Sequence, residues 1–123
     1  MQPYKILVAD DNESIRWMLV QTLLQAGYHV IEAANGKIAL ALLGDKAVDL
    51  ILSDIDMPEG DGFYLLKEIK TRFSQQIPVV FISGNTSVSI ADAKALGAQG
   101  LFPKPFHARD LIDWIRQWRS SLS

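Results

Sequence analysis

Five short aliphatic runs, separated by longer stretches of helical spacing, constrain this chain more than any other feature. The runs are Ile6 to Ala9, His29 to Ala33, Leu50 to Ser53, Pro78 to Ser83 and Gly100 to Phe102. Such short apolar runs suit strands buried on both faces. Between them the spacing predicts helices over about 14–26, 37–43, 63–73, 88–96 and 108–120, with Gly27, Gly44 and Gly97 as C-terminal stops. Strict strand–helix alternation implies right-handed βαβ units and a parallel sheet covered on both faces. No linker, repeat or low-complexity segment interrupts the pattern, and a length of 123 residues suits one domain, residues 1–123.

Two of the runs end in carboxylates. Leu50 to Ser53 stops at Asp54, with Met57-Pro58 shortly after, and Ile6 to Ala9 runs into Asp10-Asp11. A parallel sheet presents the C-terminal ends of neighbouring strands at one edge, where open α/β folds place their sites. Asp10, Asp11 and Asp54 are therefore expected to converge. At about 4 Å, two like charges repel by about 4 kcal/mol at an effective dielectric near 20. A divalent cation is the simplest offset, and hard oxygen ligands suit Mg²⁺.

Composition narrows the classes. With 49% hydrophobic and 21% charged residues the chain reads as globular. A net charge of −2 argues against non-specific nucleic-acid binding, and the absence of cysteine removes disulfides and thiolate metal sites. Met1 to Lys5 lacks the basic-then-apolar layout of a signal peptide, and no apolar run approaches transmembrane length. A soluble cytoplasmic protein without a membrane partner is the expectation.

Taken together, Asp10-Asp11, Asp54 with Met57-Pro58 and Asp61-Gly62, Ser83, and Lys104-Pro105-Phe106, each following a predicted strand, resemble the receiver domain of bacterial two-component response regulators. The resemblance covers nearly the whole chain. It implies an α/β, flavodoxin-like, doubly wound (βα)5 fold whose five-stranded parallel sheet has the order 2-1-3-4-5. It also implies that Asp54 takes a phosphoryl group from a phosphohistidine, forming an aspartyl phosphate. Asp11, Asp54 and the main-chain carbonyl of Asp56 would hold Mg²⁺ or Mn²⁺, with Asp10 acting through a metal-bound water. Lys104 would pair with Asp54 and later with the phosphoryl oxygens, to which the Ser83 hydroxyl would donate. The implied partners are a sensor histidine kinase or a histidine phosphotransfer protein, and an effector domain or protein. The implied role is signalling, limited to the domain's own phosphotransfer and slow autodephosphorylation.

Plainer roles compete for several of these residues. Capping of the first helix is one for Asp10 or Asp11, shared with Asn12 and Ser14. A solvated lysine is the common fate of a residue such as Lys104, although Pro105 and the preceding apolar strand favour a fixed position. Asp61-Gly62 reads as turn chemistry, and His29 and His107 as surface or cap residues.

The chain also departs from the family pattern. Leu101 stands three before the lysine, where the family usually carries Tyr or Phe; Phe102 beside it points to the opposite face of a strand. Pro103 removes a donor from a strand that the implied order puts at the edge. Asp56 adds a carboxylate beside the site, and Gln99-Gly100 replaces an acidic pair common in winged-helix regulators, leaving the charge network for that mode of dimerisation incomplete.

Two apolar stripes share the first helix. Ile15, Met18, Leu19, Thr22, Leu23 and Ala26 read as the core face; Trp17, Val20 and Leu24 lie nearly opposite and read as a partner surface for a helix or a second copy of this chain. In the last helix Leu111, Ile115 and Trp118 form the expected core stripe, with Ile112 and Trp114 off it and Trp114 beside Ile90. Two other functions compete with the switched receiver. One is a pseudo-receiver, an interaction module independent of phosphorylation. The other is a flavodoxin-like cofactor binder or small phosphatase, disfavoured because no glycine-rich phosphate loop follows the first strand.

Overall fold

The computed structural model describes residues 4–73, 77–85 and 87–121; Met1–Pro3, where a leader layout was sought, lie outside them. Strands and helices alternate strictly: β1 (Lys5–Ala9), α1 (Glu13–Gln25), β2 (His29–Ala33), α2 (Gly36–Asp45), β3 (Leu50–Asp54), α3 (Gly62–Arg72), β4 (Val79–Ser83), α4 (Ile90–Ala95), β5 (Gly100–Pro103) and α5 (Ala108–Ser121). All strand pairs are parallel and the order is 2-1-3-4-5, the topology expected from the sequence. Pro103 sits on β5, an edge strand, so its missing donor costs the sheet nothing on the solvent side.

Side chains alternate across each strand, and the two sets build two cores. Leu7, Ile51, Val79, Phe81 and Leu101 pack with residues of α2, α3 and α4. Ile6, Val8, Leu50, Leu52, Val80 and Ile82 pack with Leu19 and Leu23 of α1 and with Leu111 and Ile115 of α5. Phe102 belongs to this second core, opposite Leu101, as strand alternation requires.

Helix ends follow local chemistry. Asn12, Asn35, Asp61 and Ser89 each accept a hydrogen bond from a first-turn N–H of the helix they cap, so Asn12, not Asp10, Asp11 or Ser14, begins α1. Gly27 and Gly97 follow α1 and α4 with φ of 95° and 105°, the left-handed conformation that ends helices without a Cβ penalty. Gly44 does not stop α2, which continues to Asp45; with no neighbour pressing on it, the glycine is tolerated inside the last turn. α4 is shorter than its apolar spacing suggests because the capping box of Ser89 and Asp92 sets its start.

The apolar stripes need correction. Val20 is buried, so the outer face of α1 is carried by Trp17, 64% exposed, and Leu24, 47% exposed, while Met18 leaves the core stripe and is 39% exposed. On α5, Ile112 is buried with Leu111 and Ile115. Trp114 stands edge-on to Phe102 at 6.2 Å and stacks on Trp118 at 5.6 Å, so the half-buried Trp114 ring covers β5 from the α5 side with Trp118 stacked on it. No helix among the described residues is long and apolar enough to cross a membrane.

Phe81 is fully buried and packs edge-on against Phe63 at 5.5 Å. Its truncation in Phe81→Ala should cost about 3–5 kcal/mol in a urea melt. Trp17→Ala should stay within about 0.5 kcal/mol in the same measurement, because the ring is largely in solvent.

Candidate functional site

Register brings the acidic residues together. Ala9 pairs with Ser53, so Asp10, the next residue along, is level with Asp54 at the C-terminal edge of adjacent strands. Carboxylate oxygens of Asp10, Asp11 and Asp54 all lie within 4.8 Å of one another. Asp10 and Asp54 are buried and Asp11 is exposed, which makes the cluster an acidic pocket open on one side.

Lys104 reaches into this pocket from the loop after β5. Its Nζ donates to Asp54 Oδ2 at 3.1 Å and to Asp10 Oδ2 at 3.2 Å. The loop is anchored by the Lys104 N–H, which donates to the Ser83 carbonyl at 2.8 Å, and Phe106 packs into the second core. The lysine is therefore fixed in place rather than solvated. Asp10 is fully engaged: its Oδ1 accepts from the Asn12 N–H at 2.9 Å. Asp54 Oδ1 accepts from the Asp56 N–H at 3.3 Å.

The floor of the site is close-packed. A Cβ added at Gly62, the first residue of α3, would lie 2.6 Å from the Asp54 carbonyl oxygen and 3.0 Å from a Phe81 ring carbon, so α3 starts directly against the Asp54 backbone. Asp61 caps that helix, accepting from the Tyr64 N–H at 2.8 Å, which assigns Asp61-Gly62 to local structure. Ser83, at the end of β4, is one residue beyond Ile82, the register partner of Asp54. It is buried, and its Oγ accepts from the Asn85 N–H at 2.9 Å. The Asp56 side chain is exposed and stands outside the carboxylate cluster, so any ligand from that residue is main-chain. His29 and His107 are on the surface, and the His107 carbonyl accepts from the Asp110 and Leu111 N–H groups at the start of α5.

Arg16 was not among the residues singled out from the sequence. Its Nη1 donates to the Asp10 carbonyl at 2.8 Å and its Nε to Glu32 Oε1 at 3.0 Å, tying the main chain beneath the acidic cluster to β2. An arginine on an amphipathic helix reads as solvated; only the helix's position over the strand ends reveals this contact.

An acidic trio, a lysine and a hydroxyl at the C-terminal edge of a 2-1-3-4-5 sheet define a receiver-type signalling domain. The chain belongs to the response regulator receiver domain family, whose profile matches residues 6–116. It is 37% identical to the response regulator receiver protein CpdR of Brucella abortus, over 92% of this chain and 94% of that protein. Two further curated relatives are longer transcriptional regulators, NtrC of Salmonella typhimurium at 41% identity and CpxR of Klebsiella pneumoniae at 39%, of which the chain spans 25% and 47%. Among solved structures, the chemotaxis response regulator CheY4 of Vibrio cholerae is 34% identical with a TM-score of 0.84, covering 94% of this chain and 98% of that one. The response regulator TrrA of Thermotoga maritima, solved in complex with Mg²⁺–BeF, is 26% identical with a TM-score of 0.82, covering 93% and 97%.

Burial, followed by the charge of Asp10, raises the pKa of Asp54 above its ordinary value, although Lys104 and the Asp56 N–H oppose the rise. Burial also works against the charge on Lys104, but the bonds and charges of Asp54 and Asp10 outweigh it and raise that pKa too. A raised carboxyl pKa favours the fold most below the ordinary value, and that benefit is lost as pH rises through the folded value. The ionised Asp54 therefore costs stability at neutral pH, while the Lys104 contribution persists until strongly alkaline pH. In a cation-free buffer near pH 7, Asp54→Asn should melt higher than wild type, each 1 kcal/mol appearing as roughly 2–8 °C. The advantage should shrink toward about pH 4. A lower melting point for Asp54→Asn near pH 7 would contradict this assignment.

Proposed function

We propose that the domain is a phosphorylation-switched receiver in which Asp54 is the phosphoryl acceptor. The observation that carries the reading is the Lys104 ammonium bridging Asp54 and Asp10 at 3.1 and 3.2 Å beside Asp11. An Asp54 oxygen attacks the phosphorus of a phosphohistidine; the O–P bond forms as the donor's N–P bond breaks, and the imidazole nitrogen keeps the electron pair. Such transfer depends on positioning and on neutralising charge at the equatorial oxygens. Lys104 is held where it can follow those oxygens, and Ser83 lies on the adjoining strand, where its Oγ accepts from the Asn85 N–H and its own hydroxyl proton can donate to them.

The residues present fit a hard divalent cation, since the cluster offers only carboxylate oxygens. Asp11 and Asp54 would bind Mg²⁺ or Mn²⁺ directly together with the Asp56 carbonyl. Asp10, with both oxygens already engaged, fits a water-mediated role. When bound, the cation would offset charge on the carboxylates and on the incoming phosphoryl oxygens. The complex of TrrA with Mg²⁺–BeF supports this ligand class.

The added phosphoryl charge biases the conformation of Ser83, the loop after it and α4, and so the binding of an effector. The donor is a sensor histidine kinase or a histidine phosphotransfer protein in the cytoplasm, docking on the α1 face marked by Trp17 and Leu24. Slow hydrolysis by the domain itself resets the switch.

Incubation with acetyl phosphate and Mg²⁺ should add one phosphate by intact mass, removable with hydroxylamine, and Asp54→Asn should gain none. Trp17→Arg should react normally with acetyl phosphate and lose transfer from a phosphohistidine protein. Undiminished labelling of Asp54→Asn would refute the acceptor assignment, and normal transfer to Trp17→Arg would refute the docking face.

A further inference from the structure

We infer that the N-terminus of α2 is a strut that positions the loop after Asp54, with Gly36 as its positioning residue. The inference rests on the reading of Asp11, Asp54 and the Asp56 main chain as a cation site.

A helix leaves its first N–H groups without partners inside the helix. In α2 the Asn35 side chain takes the Ile38 N–H at 2.9 Å. The Gly36 and Lys37 N–H groups instead donate to the carbonyls of Gly60 at 2.7 Å and Glu59 at 3.3 Å. Those carbonyls belong to the β3–α3 loop that begins just past Asp54. The approach is too close for any side chain at Gly36. A Cβ there would lie 2.6 Å from the Gly60 oxygen and 3.0 Å from its carbonyl carbon, both backbone atoms that cannot swing aside.

The loop is shaped around this contact. Glu59 holds a φ of 58°, a left-handed conformation that a residue with a side chain keeps only when its surroundings impose it. Gly60 follows at φ 105°. Met57 is buried in the same apolar cluster as Ala39 and Leu40 of α2. At the near end, the Gly62 N–H donates to the Ile55 carbonyl at 2.8 Å and the Asp56 N–H to Asp54 Oδ1 at 3.3 Å. Asp56 is thus suspended between two fixed points, one on β3 and α3 and the other on α2. Moving the α2 contact moves the Asp56 main chain, and groups that orient a metal ligand typically change affinity by about 10- to 100-fold when altered.

The test is a calorimetric Mg²⁺ titration of wild type, Gly36→Ala and Gly44→Ala, with melts in chelator to establish folding. Gly44 lies in the same helix with nothing within 4 Å of an added Cβ, so Gly44→Ala should bind like wild type. Folded Gly36→Ala should bind about tenfold more weakly or worse. Coupling is reciprocal, so Mg²⁺ must in turn slow hydrogen exchange at the Gly36 amide of wild type, a readout that needs no variant. Equal affinity for wild type and folded Gly36→Ala, or a Gly36 exchange rate untouched by saturating Mg²⁺, overturns the strut and leaves the cation site standing. If wild type binds no Mg²⁺, the underlying cation reading fails, and the strut fails with it.

Discussion

Carboxylate repulsion at one edge of the sheet, offset by Lys104, is the interaction on which the rest of this structure turns. Asp10 and Asp54 meet only because β1 and β3 are neighbours in parallel register, with Ala9 against Ser53. Two buried carboxylates beside an exposed third are unfavourable alone, and the direction of the Asp54 pKa shows that burial and Asp10 outweigh the help it receives. Lys104, brought back from the far edge of the sheet by the anchored β5 loop, supplies the charge that makes the arrangement tolerable without a cation. The tension left over is what a hard divalent cation would offset.

The acidic pocket and the apolar side of the α4 face are joined through β4 and β5. Phe81 and Leu101 are register partners in the core under α3 and α4, and Ser83 is paired with Pro103 two residues further on. Leu101 is buried in the place where the family usually has an aromatic ring. Leu101 therefore brings an aliphatic side chain, not an aromatic ring, to the packing between β5 and the short, capped α4 helix. Trp114 stands edge-on to Phe102 of β5 and stacks on Trp118 of α5.

Much of this was legible because the governing signals are local. Strand runs, helix spacing, and the strand-end positions of Asp10, Asp54, Ser83 and Lys104 all follow from periodicity and topology, and the sheet order followed from the resemblance. Errors arose where one residue answers to several neighbours. Val20 and Ile112 look peripheral on a helical projection, yet α1 and α5 pack side by side and bury both. Gly44 looks like a stop because glycine is unfavourable in helices, but a cost of about 1 kcal/mol does not end a helix whose Leu40 and Leu43 are buried. Arg16 and Gly36 carry no motif; they donate to the main-chain carbonyls of Asp10 and Gly60, contacts that only the assembled backbone specifies.

If the acidic pocket is a cation site in waiting, divalent cation must stabilise the fold through Asp11, the exposed member of the trio, as well as through Asp54. The direct measurement is thermal melting of wild type and Asp11→Ala with and without millimolar Mg²⁺. A ligand bound only to the folded state adds about 2.7 kcal/mol at a hundred times its Kd. The expected result is a higher midpoint for wild type with Mg²⁺ and little or no rise for Asp11→Ala. Identical wild-type midpoints with and without Mg²⁺, or an undiminished rise in Asp11→Ala, would contradict the account.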